Sequence, residues 1–95
     1  MTESTLEALQ QRLGHGFAQG ALLRRALTHR SFGIEHNERL EFLGDAVLGW
    51  AIADLVYHRY PVAEGQLTDL RKSVVNAIAL AEVAQEIGLG DHVLL

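Results

Sequence analysis

The stretch from Glu38 to Tyr60 limits what this chain can fold into more than any other. Pro61, the only proline in the sequence, closes it by disfavouring helix in the residue before it. The pattern predicts one long helix over residues 38–60. Its opening turns are amphipathic, whereas Ala46 to Ala53 is apolar on every side and ends only at Asp54. A helix that is apolar all round normally lies at the centre of its domain. The expected fold is therefore a set of shorter helices around this one, with Asp45 set against a buried section.

The same helix opens with Glu38, Glu41 and Asp45 within eight residues. At about 100° per residue these three acids share an arc roughly 60° wide, and Leu40, Leu43 and Val47 cluster on the far side. Such a stripe is either a solvated face or a cation site, and spacing alone puts the solvated face ahead. Three features pull the other way. The positions four residues after Glu41 and Asp45 are Asp45 and Gly49, so neither acid has an intrahelical cation. Glu41 and Asp45 are like charges one turn apart, which destabilises a helix unless something positive sits between them. Asp45 also abuts the apolar section. Residues at this spacing can share one hard cation such as Mg²⁺, which prefers carboxylate oxygens. Phe42 falls about 60–80° from the acidic arc and away from the leucine face. It needs cover from another helix of the chain or from a partner subunit, since aromatic anchors are what interfaces use.

The remaining elements are shorter. Ser4 and Glu7 read as a capping box for a helix carrying Leu6, Leu9 and Leu13, with Gly14 as its stop. A second helix is expected from about Ala21 to His29, with Leu22, Leu23, Ala26 and Leu27 inward, and Asn37 is a good N-cap for the long helix. A fourth is expected from about Gln66 to Asn76, using Leu67, Leu70, Val74 and Val75. A fifth runs from about Ala77 to Ile87, with Ile78, Ala81 and Ala84 as its packing face and Gly88 as its stop. Residues 92–95 look like the start of a further element. No strand alternation of useful length is present, so the class is all-α, in one domain of about five helices.

Composition narrows the function. The absence of cysteine excludes disulfides and thiolate metal sites. The N-terminus has no secretory pattern, and the longest apolar run is far short of the ~20 residues that span a bilayer, so no membrane role and a cytoplasmic location are expected. A net charge of −4 weighs mildly against a nucleic-acid partner. The five histidines lack zinc-ligand spacing; His29 reads as a capping or packing residue and Trp50 as core. Glu64 before a helix start reads as a favourable dipole contact. The basic pairs Arg24-Arg25 and Arg71-Lys72 read as solvated faces. No Ser-His-acid grouping or glycine-rich phosphate loop is present, and Gly14-His15-Gly16 lacks the strand and third glycine of a dinucleotide turn, so no nucleotide cofactor is expected.

The run His36-Asn37-Glu38-Arg39-Leu40-Glu41-Phe42-Leu43-Gly44-Asp45 resembles the signature of the ribonuclease III family, the bacterial double-stranded-RNA endonucleases. Ala26-Leu27-Thr28-His29-Arg30-Ser31 resembles the segment before the signature, Glu64 to Arg71 the one after it, and Leu80 to Leu89 the next helix. The resemblance implies an all-helical endonuclease domain that acts as a homodimer in the processing of ribosomal and messenger RNA precursors, leaving 5′-phosphate and 3′-hydroxyl ends. It implies that Glu41 and Asp45 bind Mg²⁺, with Mn²⁺ as a possible substitute. Glu38 and Glu64 match two further catalytic acids lining a valley between subunits, and Phe42 matches an aromatic that enters a socket on the partner. Family catalytic domains continue into another long helix with further metal ligands, and bacterial members carry a double-stranded-RNA-binding domain. The expectation is that residues 1–95 are a partial catalytic domain, inactive alone and prone to self-association. Two other classes compete: a non-catalytic helical module of the same fold that binds RNA or protein, and a small interaction domain whose acidic stripe meets a basic partner.

Overall fold

The computed structural model describes residues 3–95, with side chains from Thr5 onward. Five α-helices follow in order: α1 (Glu3–Leu13), α2 (Gly20–Ala26), α3 (Glu38–Arg59), α4 (Glu64–Val74) and α5 (Ala77–Glu86). A 3₁₀ turn, Leu89–His92, comes last. Among the described residues the only β feature is an isolated parallel bridge between Thr28 and Leu94. The all-α reading holds.

Glycines end two helices as the sequence leads one to expect. Gly14 has φ +71°, and the amides of Gly14 and His15 donate to the carbonyls of Gln11 and Gln10, the hydrogen-bond pair of a Schellman stop. Gly88 has φ +68° after α5, where Arg12 Nη1 of α1 reaches across to the carbonyl of Ile87 at 3.0 Å. The α1 start differs from expectation: α1 already contains Glu3, so Ser4 stands inside the helix, and its side chain lies outside the described residues. Asn37 does precede α3, but its side chain makes no cap bond there. It donates instead to the carbonyl of Ala26 at 3.0 Å, while its backbone N–H donates to Thr28 O. The amide of Glu38 meets His36 Nδ1 at 3.4 Å.

The main core is small. Leu6 and Leu9 of α1 pack with Leu23 of α2 and Leu27 just beyond it, flanked by Phe17 and Leu89. The chain then continues around a circuit: α3 packs on α4, α4 meets α5, α5 meets the 3₁₀ turn, and the turn meets α1. The result is elongated, 46 × 26 × 24 Å, with a radius of gyration of 15.4 Å. A compact domain of this length would have about 12 Å.

Elongation overturns the expected role of α3. Its apolar section is not the centre of a domain. No residue from Ala46 to Ala53 is buried, and Val56 is the one buried residue of the helix. Trp50, read as core, is 69% exposed, and Leu43 and Val47 are more than half exposed. Asp45 is exposed too, so its neighbourhood gives it no shelter from solvent. The α5 face is mostly open too: Ile78 is 76% exposed and Ala81 is exposed, while Ala84 is half-buried. Hydrophobic periodicity marks a face that can be covered; covering it takes a second surface in reach, and the circuit of short helices does not supply one.

Candidate active site

The acidic stripe lies along the first two turns of α3, and Glu38, Glu41 and Asp45 are all exposed. Glu38 and Glu41 fall in the first turn, where the free amides and the positive end of the helix dipole favour carboxylates. Three connections fix this end of the helix in place. Asn37 clamps it to Ala26 and Thr28, and Arg25 Nε donates to the carbonyl of His36 at 3.1 Å. The third is an ion pair, Arg30 Nη1 to Glu38 Oε1 at 3.5 Å.

Beyond that pair the stripe is uncompensated. Among the described residues neither Glu41 nor Asp45 has an ion-pair or side-chain hydrogen-bond partner. The two stand one helical turn apart, able to present two hard oxygen donors to one point. No group of three His, Cys, Asp or Glu able to hold a metal is present among the described residues. Two carboxylates nevertheless fit Mg²⁺, which keeps several waters and is commonly held by one or two protein carboxylates together with substrate phosphate oxygens.

Glu64 is elsewhere. It begins α4 itself, earlier than the expected start at Gln66, and lines a cavity of about 260 Å³ with Ala53, Val56, Tyr57, Leu67, Thr68 and Arg71. Ala53 is eight residues beyond Asp45, about 12 Å along the helix axis. Glu64 therefore does not join Glu41 and Asp45 at a shared ion within one chain. Phe42 is 82% exposed, so no other helix of the described chain covers it. It opens onto a cavity of about 670 Å³, lined also by Leu22, Arg25, Glu38, Arg39, Leu40 and Leu43.

Sequence reasoning missed the Arg30–Glu38 pair and the bond from Arg25 to the loop. Both cross a non-helical segment, where no fixed periodicity relates sequence distance to spatial distance. The cue that was present is composition: arginines crowd just ahead of the acids.

With this geometry in hand, likeness to known proteins is informative. A family model described as ribonuclease-III-like matches residues 19–95. Ribonuclease 3 of Pasteurella multocida is 49% identical over 96 residues, an alignment taking in 100% of this chain and 42% of that protein. Ribonuclease 3 of Hahella chejuensis is 54% identical over 91 residues, covering 95% of this chain and 40% of the relative. A solved nuclease domain of ribonuclease III from Campylobacter jejuni, with structural flexibility in a region involved in dimer formation, matches with a TM-score of 0.90 and 43% identity. That match covers 95% of this chain and 64% of the solved one. The chain belongs to the ribonuclease-III-like family. It spans about two-fifths of the length of these curated relatives.

Proposed function

We propose that this chain supplies part of the active site of a Mg²⁺-dependent endoribonuclease that hydrolyses double-stranded RNA, works as a homodimer, and processes RNA precursors in the cytoplasm. The observation that carries the reading is the Glu41–Asp45 pair: two exposed carboxylates one turn apart, without a cation among the described residues, on the helix that bears the family signature. A helix bears that mutual repulsion at a cost to stability, and a shared cation removes it.

In this reading Glu41 and Asp45 hold the ion from the protein side. Bound Mg²⁺ (or Mn²⁺) supplies Lewis acidity at the phosphodiester and a water acidified for attack. Water adds to phosphorus and the bond to the 3′-oxygen breaks, leaving 5′-phosphate and 3′-hydroxyl ends. Glu38, held by Arg30, and Glu64, at the far end of the exposed α3 surface, line the valley in which the duplex lies. Phe42 and its cavity form a contact with the second subunit, consistent with an aromatic that its own chain leaves uncovered.

The described residues supply two metal ligands and no third, so residues 1–95 alone are expected not to cut. Incubation with Mg²⁺ and a labelled RNA duplex checks this; specific cleavage that disappears in Asp45→Asn would sink the claim of an incomplete site. In a protein that carries the remaining family helix, Asp45→Asn should abolish turnover while duplex binding persists. Persistent turnover there removes Asp45 from the active site.

A further inference from the structure

Asn37 turns its side chain away from the helix it begins. Its carbonyl accepts the amide of Glu41 at 2.7 Å, so it stands at the head of α3, and asparagine is among the best N-cap residues. Its backbone, however, lies at φ −95° and ψ 3°, outside the extended region from which a cap reaches its own helix, and its side chain makes no cap bond. Nδ2 donates to Ala26 O at 3.0 Å, and the backbone N–H donates to Thr28 O at 2.9 Å.

Residues 27–29 take Asn37 on one edge and the C-terminal segment on the other. Leu94 N donates to Leu27 O at 2.9 Å, and His29 N donates to Leu94 O at 2.8 Å. The carbonyl between them, Thr28 O, is the one that Asn37 uses. Thr28 is itself buried, its hydroxyl donating to Arg24 O at 2.7 Å. Hydrogen bonds therefore run from Leu94 through residues 27–29 to Asn37 and on to the amide of Glu41.

The helix alone fixes the spacing of Glu41 to Asp45. A Mg²⁺ ion held by two carboxylates completes its shell from water, substrate or other groups, and those meetings depend on how α3 is aimed. Asp45 is eight residues from Asn37, about 12 Å along the axis, so a tilt of about 10° at Asn37 swings it by about 2 Å. Catalytic groups need placement to within about 0.5 Å.

We infer that Asn37 is a positioning residue for the metal carboxylates, fixing the aim of α3 on a two-edged junction whose other edge is Leu94. This rests on the metal reading above. It also gives residues 93–95 a part in the site: displacing Leu94 unseats Thr28, and Thr28 carries Asn37.

The test is Asn37→Ser in a ribonuclease that carries the remaining family helix, assayed on a labelled RNA duplex across a Mg²⁺ series. Serine caps a helix about as well as asparagine but is too short to reach Ala26. The kcat should fall about tenfold and the Mg²⁺ concentration for half-maximal rate should rise about tenfold, as when a group orienting a metal ligand is lost. KM for the duplex and the urea midpoint should not move. Leu94→Pro deletes the N–H that reaches Leu27 and should raise the Mg²⁺ requirement in the same direction, whereas Leu94→Ala should not. Val93, at φ −78° and ψ 132°, already has the extended backbone that precedes proline. Arg12→Gln breaks a comparable long-range bond, to Ile87 O, and should leave the kinetics unchanged. Wild-type kinetics in Asn37→Ser, or an equal loss in Arg12→Gln, overturns the inference. A loss matched by a lower urea midpoint marks a structural cap and also overturns it. Amide hydrogen exchange in this chain, without metal or RNA, separates the two readings. Asn37→Ser should speed exchange at His29, and Leu94→Pro at Asn37, each by about fivefold, with Val83 of α5 unchanged. Those shifts with a wild type that never cleaves defeat the nuclease reading and spare the junction; Asp45-dependent cleavage with exchange unmoved does the reverse.

Discussion

The two ends of the molecule use similar residues to opposite effect. At one end, Leu6, Leu9, Leu23 and Leu27 come from two short helices and close a core in which Leu9 is fully buried. At the other, α3 carries a longer apolar run, yet Phe42, Leu43, Val47, Trp50 and Tyr57 are all more than half exposed. Apolar content does not decide burial. The short helices meet because a loop of six residues turns α2 back onto α1. The middle of α3 extends past its neighbours, with α4 packed against it. The first end holds the fold together; the second is surface available to something else.

The sharpest way to break this contrast is truncation on each side of it. Leu9→Ala should cost about 3 kcal/mol in urea denaturation, the usual range for a leucine deleted from a closed core. Trp50→Ala, a larger deletion, should change stability by no more than about 0.5 kcal/mol in dilute protein. A comparable loss at Trp50 that grows with protein concentration would mean that a second copy covers the α3 face.

Gly88→Ala comes next. Its backbone is left-handed and its new methyl would collide with the Arg12 guanidinium, so a loss of about 1–2 kcal/mol is expected. Gly14→Ala has the same backbone sign but open space around it, and should cost only about 1 kcal/mol. Equal losses at both would show that the Arg12 contact carries no energy.

A smaller effect comes from buried His92, whose Nδ1 has no hydrogen-bond partner among the described residues. His92→Leu should leave stability unchanged or raise it by about 1 kcal/mol, since an unsatisfied polar atom is removed. The smallest concerns the acids. Asp45→Asn should stabilise the chain by about 0.2–0.5 kcal/mol at low salt by removing one of two like charges a turn apart, at a position beyond the first turn of α3. The gain should vanish in about 1 M KCl. A loss at low salt would reveal a cationic partner for Asp45.

Most of the helices were legible because their signals are local. Gly14 and Gly88 stop helices by backbone conformation, Pro61 follows α3 at a distance of two residues, and the leucines of α1 and α2 repeat at helical spacing. The α2 end was misjudged: Leu27 and Thr28 leave the helix because Thr28 pairs with Leu94, a partner far along the chain. Asn37 does stand at the N-cap of α3, but its side chain is drawn off to Ala26 instead of capping the helix. For the site, the stripe of Glu38, Glu41 and Asp45 follows from 3.6 residues per turn, whereas the displacement of Glu64 depends on how α4 lies against α3.

Sequence alone therefore determined the helices, the alignment of three acids on one face, and the family to which the chain belongs. Each depends on short-range geometry or on residue identity. Only the tertiary structure decided which apolar face is closed and which is open, that Arg30 neutralises Glu38, and that the arginines gather beside the acids. Those outcomes turn on contacts between residues distant in sequence, where many arrangements satisfy the same local pattern and packing selects one.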